Sequence, residues 1–398
     1  MSRAAFICSS ELWARGHGPE HPLKPERLKR TYELLQAYGA FDGDGFLVPP
    51  RLATKEELCL FHTSEYVAAV ESLSRGEDRF NPARYNFGPG DNPVFPGMYE
   101  TEALKVGAAL VAMEIVLSGE ADDEMSRLVR RRNSSISRRD ISSKVAFSFS
   151  GGLHHAGPAS ASGFCVFNDA AVLIHALLRR GLRVAYIDID VHHGDGVQWA
   201  FYESDQVLTI SLHESGLYLF PGTGFTGEIG EGPGRGYSAN LPLAPFTDDE
   251  VYLWAFREIV PPLVEAFGPD IVVSQLGTDT HYLDPLAHLC LTTRGYEAVV
   301  REIKALAPRW IALGGGGYAL DVVPRAWTLA YGVMLGRDFP DELPSAYARK
   351  YGPGRLRDRG GPHLDEGLRE EARRYAQRGV EELKGTVLRI LREKRRKE

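Results

Sequence analysis

The chain has 398 residues, 43% hydrophobic and 25% charged. That is the balance of a globular protein; it excludes general disorder and leaves ample length for a core without staples. A net charge of −7, from 46 basic and 53 acidic residues, excludes a global basic field drawing the molecule onto nucleic acid or anionic lipid. Cys8, Cys59, Cys165 and Cys290 form no C-x-x-C pair, which argues against a disulfide framework and a thiolate zinc site and fits a reducing compartment.

Met1 to Cys8 enters an apolar run with no charged leader, and no stretch approaches the ~18–20 apolar residues of a membrane span. A cytoplasmic protein that does not enter membranes is expected. The pattern then predicts a strand at Ala4–Cys8, a helix at Pro25–Tyr38 and a short helix capped by Thr54 and Glu57. A helix at Gly97–Leu117 precedes a strand at Val145–Phe149 and a helix at Ala170–Arg180. Strands at Val184–Ile189 and Val207–Leu212 flank a helix at Val197–Glu203. Helices at Asp248–Phe267 and Thr293–Ala307 alternate with strands at Ile271–Gln275 and Trp310–Leu313. Near-continuous apolar strands alternating with helices predict one three-layer α/β/α domain around a mostly parallel sheet.

Two segments stand apart. Arg127–Arg139 carries six arginines and no acid, which reads as an exposed loop, or else a docking site for an acidic partner. Leu364–Glu398 is strongly charged with scattered apolar positions, the pattern of an amphipathic helix packed on the body.

Ligands of open α/β sheets bind at the carboxyl ends of strands, so the residues following each strand matter most. Val145–Phe149 leads into Ser150-Gly151-Gly152-Leu153-His154-His155, and Ile271–Gln275 into Leu276-Gly277-Thr278-Asp279. Trp310–Leu313 leads into Gly314-Gly315-Gly316-Gly317-Tyr318. Adjacent histidines also make polar turns, glycine runs also serve close packing, and a lone aspartate also caps helices. The string D-x-D-x-H-H-G-D-G from Asp188 to Gly196 is different. Its carboxylates and imidazoles are costly to place together unless a cation or catalytic protons hold them. Extended backbone would project Asp188, Asp190 and His192 on one face. One carboxylate, one imidazole and Asp279 then make a three-ligand site with a position open for water, as in catalytic zinc. His154 and His155 are candidate bases needing orienting carboxylates, for which Asp188 and Asp195 are at hand. Tyr318 is a candidate donor to an oxyanion. Together these parts describe hydrolysis of an amide or ester.

The motifs GPEHPLKPERL, DNPVFPGMYE, GGLHHAGPASASGFCVFND, YIDIDVHHGDGVQWAFY, ISLHESGLYLFPGTG, QLGTDTHYLDPL and GGGGY resemble those of the zinc-dependent histone deacetylase superfamily. Within it the chain looks like the bacterial AcuC-like acetoin-utilisation deacetylases. The resemblance implies the arginase/deacetylase fold, with a catalytic domain over residues 1–340 and a charged helical extension at 341–398. It implies zinc ligands Asp190, His192 and Asp279, and tandem histidines His154 and His155 paired with Asp188 and Asp195. His155 is then general base and acid, His154 tunes the field, and Tyr318 polarises the carbonyl. Phe164 and Phe220, with Gly163, would line a tunnel for an acetyl-lysine stem, Asp91 would anchor substrate backbone at its rim, and Arg27 would sit in an internal channel. Structural potassium is implied at Asp188, Asp190, His192, Ser211 and Leu212, and more weakly at Phe201, Ser204, Val207 and Tyr237. Leu286 stands where acetylpolyamine-selective relatives place an acid, which favours acetyl-lysine of proteins as substrate.

Other readings are an acetylpolyamine amidohydrolase, a non-catalytic reader of acetyl-lysine, and, less well matched, a binuclear-manganese ureohydrolase. An Asp-His-Asp site accepts Fe²⁺ as well as Zn²⁺. The AcuC resemblance suggests acetyl-CoA synthetase as a candidate partner; no direct nucleic-acid binding is expected, and oligomeric state is left open.

Overall fold

Eight short strands build a single sheet: β1 Ala4–Ile7, β2 Gly45–Val48, β3 Val145–Ser148, β4 Val184–Asp188, β5 Val207–Glu214, β6 Ser238–Leu243, β7 Ile271–Gln275 and β8 Trp310–Leu313. Their order is β2-β1-β3-β8-β7-β4-β5-β6, and every neighbouring pair is parallel. The structure, a computed structural model, describes residues 3–118 and 143–396. The arginine-rich run at 127–139 therefore lies outside the described residues.

Alternation along the strands supplies both faces of the sheet. Val145, Phe147, Ala185, Ile187, Trp310 and Ala312 join one hydrophobic cluster, while Ala146, Val184, Tyr186, Ile311 and Leu313 join a second. The first cluster is completed by helices Glu26–Ala37, Asp249–Phe267, Thr293–Leu306 and Val323–Leu335. Helices Ser64–Ser74, Met98–Leu117 and Asp169–Leu178 complete the second. Strands buried on both faces favour apolar residues on successive positions, hence their near-continuous runs, with polar residues such as Ser148, Asp188 and Gln275 at the carboxyl ends. Met98–Leu117 is buried along nearly its whole length, its buried Lys105 donating to Glu102 at 2.8 Å and its Glu114 accepting from Arg51 at 2.7 Å.

β7 and β8 have the bounds the sequence predicts, and the Thr54–Glu57 capping box is present. Pro25 sits just before the first turn of its helix. The helix expected at Val197–Glu203 begins earlier, at Asp195, and ends at Ala200. The edge strands β2 and β6 are legible only in the structure. β2 is half-exposed, and β6 reads SANLPL, where Asn and Pro obscure a strand signal that tolerates them at an edge.

The C-terminal segment forms helix Glu366–Leu383, a π-helical stretch at Lys384–Leu388 and helix Arg389–Arg395. Its Ala376, Val380, Leu383 and Leu391 enter the first core cluster, packing against β6 and Asp249–Phe267 and so covering the outer sheet edge. No helix among the described residues is long and apolar enough to cross a membrane.

Candidate active site

The strands followed by histidine, aspartate and glycine are neighbours: β3, β8, β7 and β4 occupy the middle of the sheet in that order. Register brings their ends level. Ser148 is paired with Leu313, Leu313 with Gln275, Gln275 with Asp188, and Asp188 with Ser211. The residues that follow therefore emerge at one edge, within reach of each other.

Asp190, His192 and Asp279 are buried, and one ligand-capable atom from each lies within 4.8 Å of the others. His192 Nδ1 is 3.2 Å from both Asp190 Oδ1 and Asp279 Oδ2. Each carboxylate is aimed from behind: Gly316 N–H donates to Asp190 Oδ2 at 2.7 Å and Val191 N–H to Asp279 Oδ1 at 2.9 Å. Gln275 Nε2 donates to Asp190 Oδ2 at 3.1 Å. Two glycines leave room: a Cβ on Gly277 would lie 2.1 Å from Asp190 Oδ2, and one on Gly316 would lie 1.9 Å from Asp279 Oδ2. Burial and the nearby Asp190 push Asp279 up to about 7. This buried, convergent N/O donor set with excess negative charge is chemically fitted to a divalent cation.

Beside it, His154 Nδ1 meets Asp188 Oδ2 at 2.9 Å and His155 Nδ1 meets Asp195 Oδ1 at 2.7 Å. Asp188 thus turns to His154 and does not project with Asp190 and His192; its other oxygen accepts Asp190 N–H at 3.0 Å. The chain turns just past β4, which breaks the extended alternation. Burial disfavours a charged His154, but Asp188 and Asp190 outweigh it and raise the ring to about 9. Burial and the adjoining His154 lower His155 to about 4. The tandem pair is thereby split into one charged and one neutral imidazole at neutral pH.

Tyr318 shares a cavity with His154, His155, Asp190 and His192. Burial, then Asp279 and Asp190, raise its phenol well above 10, so it remains a donor. Gly315 and Gly317 in the turn before it have φ of +142° and +125°, which glycine alone adopts readily. Arg27 donates to the Gly315 and Gly317 carbonyls at 2.7 and 3.0 Å, lies over the Trp327 ring and lines the same cavity.

The walls are aromatic. Phe164 lies edge-on to Tyr318, with centroids 5.7 Å apart, and Phe220 edge-on to His155 at 5.0 Å. Phe164 is held at a φ of +69° by an N–H bond to Asn92 Oδ1 at 3.1 Å. Gly163 has a φ of +49°, and a Cβ there would lie 2.5 Å from the His155 ring. Asp91 is exposed, and its carbonyl accepts from His21 Nε2 at 3.1 Å. The Leu286 N–H donates to Asp284 Oδ1 at 3.0 Å. Ser211 is level with Asp188, but its hydroxyl bonds His213 Nδ1 at 2.7 Å, and the Leu212 carbonyl accepts from Tyr252 at 3.4 Å.

A histone deacetylase domain matches residues 21–334. This chain belongs to the histone deacetylase family. It is 42% identical over 359 residues to the acetoin utilization protein AcuC of Bacillus subtilis strain 168, covering 88% of this chain and 87% of that protein. Against histone deacetylase clr6 of Schizosaccharomyces pombe it is 36% identical over 354 residues, covering 88% and 82%. The crystal structure of an HDAC homolog from Aquifex aeolicus superposes with a TM-score of 0.81 at 31% identity, covering 95% of this chain and all of that one. The chain is therefore a deacetylase with the arginase/deacetylase architecture, its family implying a metal ion and acetylated substrates.

Several residues that shape this deacetylase site were not singled out by sequence. The Asp169 carboxylate accepts Gly152 N–H and Leu153 N–H at 3.0 and 2.8 Å, holding the turn into the tandem histidines. Asp284, buried, accepts the N–H groups of both Leu286 and Tyr318. Gln275 was visible only as a polar residue ending an apolar strand. Asp169 lay within a quoted motif, but nothing local distinguished it from a helix-starting acid.

Proposed function

We propose that this deacetylase removes acetyl or related acyl groups from the Nε-amine of lysine side chains in proteins, using Zn²⁺ (or Fe²⁺) held by Asp190, His192 and Asp279. A cation bound there supplies Lewis acidity to the acyl carbonyl and to water. His155, held neutral with Nδ1 on Asp195, takes the proton of the attacking water at its other nitrogen and returns it to the departing lysine amine. Asp195 fixes the tautomer and stabilises the imidazolium as it forms. The His154–Asp188 ion pair keeps His155 from charging early. Tyr318 donates its hydroxyl proton to the oxygen on which negative charge develops. Phe164 and Phe220 enclose an uncharged alkyl stem, Gly163 leaves room beside His155, and Leu286 adds an apolar wall with no acid for a polyamine. Asp91 is the rim group for substrate backbone, and Arg27 keeps the glycine turn in place at the inner cavity. The oxygens of Asp188, Ser211 and Leu212 would hold a structural potassium ion.

The observation that carries this reading is the convergence, at four adjacent strand ends, of a buried Asp-His-Asp triad, the tandem histidines on Asp188 and Asp195, and Tyr318. The names of the AcuC relatives support a role in acetoin use; acetate use, a cytoplasmic location and acetylated acetyl-CoA synthetase as partner are the further parts of the proposal. Metal-reconstituted protein offered acetyl-, propionyl- and butyryl-lysine peptides and an acetylpolyamine tests it. Turnover of the peptides is expected; turnover of the polyamine alone would reject the protein-lysine assignment.

A further inference from the structure

The loops bordering the slot carry little charge, in a chain that is 25% charged. Residues 88–96, 157–163, 215–227, 244–247 and 280–291 contain Asp91 and Asp284 as their only acids and no lysine or arginine. Asp284 is buried, which leaves Asp91 as the exposed acid. On the adjoining loop at 17–24, Glu20 and Lys24 offset one another. The same loops instead expose large apolar side chains: Val94, Leu217, Tyr218, Phe220, Phe246 and Leu283. Leu217 is 66% and Leu283 52% exposed, an arrangement that costs water contact unless a partner covers it.

Three of these loops are tied to the site by a specific contact, and a fourth is joined to one of them. Asn92, next to Asp91, holds the Phe164 N–H, and Phe220 packs on His155. Asp284, next to Leu283, holds the Tyr318 N–H at 2.8 Å. Phe246 N–H donates to the His288 carbonyl at 2.9 Å, joining residues 244–247 to the Leu283 loop. Glu214, fully buried at the end of β5, fixes His288 through its N–H at 2.8 Å and its Nδ1 at 2.9 Å. The loops that carry these apolar residues are thus anchored on Phe164, His155 and Tyr318.

We infer that these residues form a collar reading the polypeptide on either side of the acylated lysine, and that it takes extended segments with apolar neighbours to that lysine. The inference rests on the deacetylase reading above and narrows its substrate class. Apolar flanks cover Leu217, Tyr218 and Leu283 and release water. Lysine- or arginine-rich flanks, or a polyamine, bring several cations against apolar surface with only Asp91, and Glu20 beside Lys24, to meet them, and most of their desolvation goes unreturned.

The test is kcat/KM on acetyl-lysine peptides of equal length whose flanking residues are Leu and Phe, Ser and Gly, or Lys and Arg, with an acetylpolyamine alongside. The apolar series is expected to exceed the basic series by roughly tenfold or more. Leu217→Ser and Leu283→Ser are expected to bring that ratio toward one, with thermal melting reporting the fold. If either variant does not fold, the comparison among peptides on the unaltered enzyme still decides. Equal or better turnover of the basic series, or a ratio unmoved in both folded variants, overturns the collar. Failure of every peptide while the polyamine is hydrolysed overturns instead the reading beneath it.

Discussion

Replacing Asp284 with asparagine separates the anchoring of Tyr318 from its chemistry. One carboxylate oxygen accepts Tyr318 N–H at 2.8 Å and the other accepts Leu286 N–H at 3.0 Å. An asparagine has one acceptor oxygen, so Asp284→Asn leaves one of these N–H groups facing an amide that also donates. A hydrogen bond to a charged group contributes about 1.5–3 kcal/mol. Tyr318 follows glycines at φ +142° and +125°, so a weakened anchor leaves its hydroxyl on a permissive backbone. At about 1.36 kcal/mol per tenfold in rate, the expected fall in kcat is ten- to a hundredfold, with KM little changed. Steady-state kinetics on an acetyl-lysine peptide measures this. Metal content is measured in parallel, because Asp284 also contributes to the field at Asp279. In a Tyr318→Phe background, where the hydroxyl is already gone, Asp284→Asn should cost little more. An unchanged kcat, or the same loss in both backgrounds, refutes the positioning argument.

Tyr318→Phe removes the oxyanion donor and should lower kcat by about 10²–10³-fold with the substrate still bound; near-normal turnover would reject that role. Alanine at Asp190, His192 or Asp279 should abolish stoichiometric metal uptake, read by elemental analysis; retention of a full equivalent would show that the ion sits elsewhere. Burial and the charged His154 hold His155 down to about 4, and the base works when neutral. Turnover should therefore persist as pH falls through 6.5 and be lost only nearer the lowered value. His154→Gln removes the neighbouring positive charge and should move this acid limb upward; a limb that stays put in a pH–rate profile contradicts the split. Gly163→Ala places a Cβ 2.5 Å from the His155 ring at a φ of +49°. It should cut kcat at least about tenfold while metal uptake is kept, and normal kinetics would show that the loop yields freely.

The parallel sheet and its inner strands were legible because doubly buried strands favour apolar residues along their length, which leaves uninterrupted runs such as Trp310–Leu313. The candidate ligands and bases were legible because charge and imidazole following such runs have no packing role. Edge strand β6 was obscured, since its unpaired side lets Asn and Pro through, and β2 because it is four residues long and half-exposed. Local pattern also left open which carboxylate serves which partner. Asp188, Asp190 and Asp195 lie close in sequence, and only the turn beyond β4 sends Asp188 to His154 and Asp190 toward Asp279. The supports from Asp169, Gln275 and Asp284 depend on strands distant in sequence being adjacent in space. The sequence by itself determined the fold class and the chemical inventory; the order β3-β8-β7-β4 and its level register decided how that inventory meets. The reason is physical: burial leaves a local periodic trace, whereas pairing across strands is set by contacts that no segment carries alone.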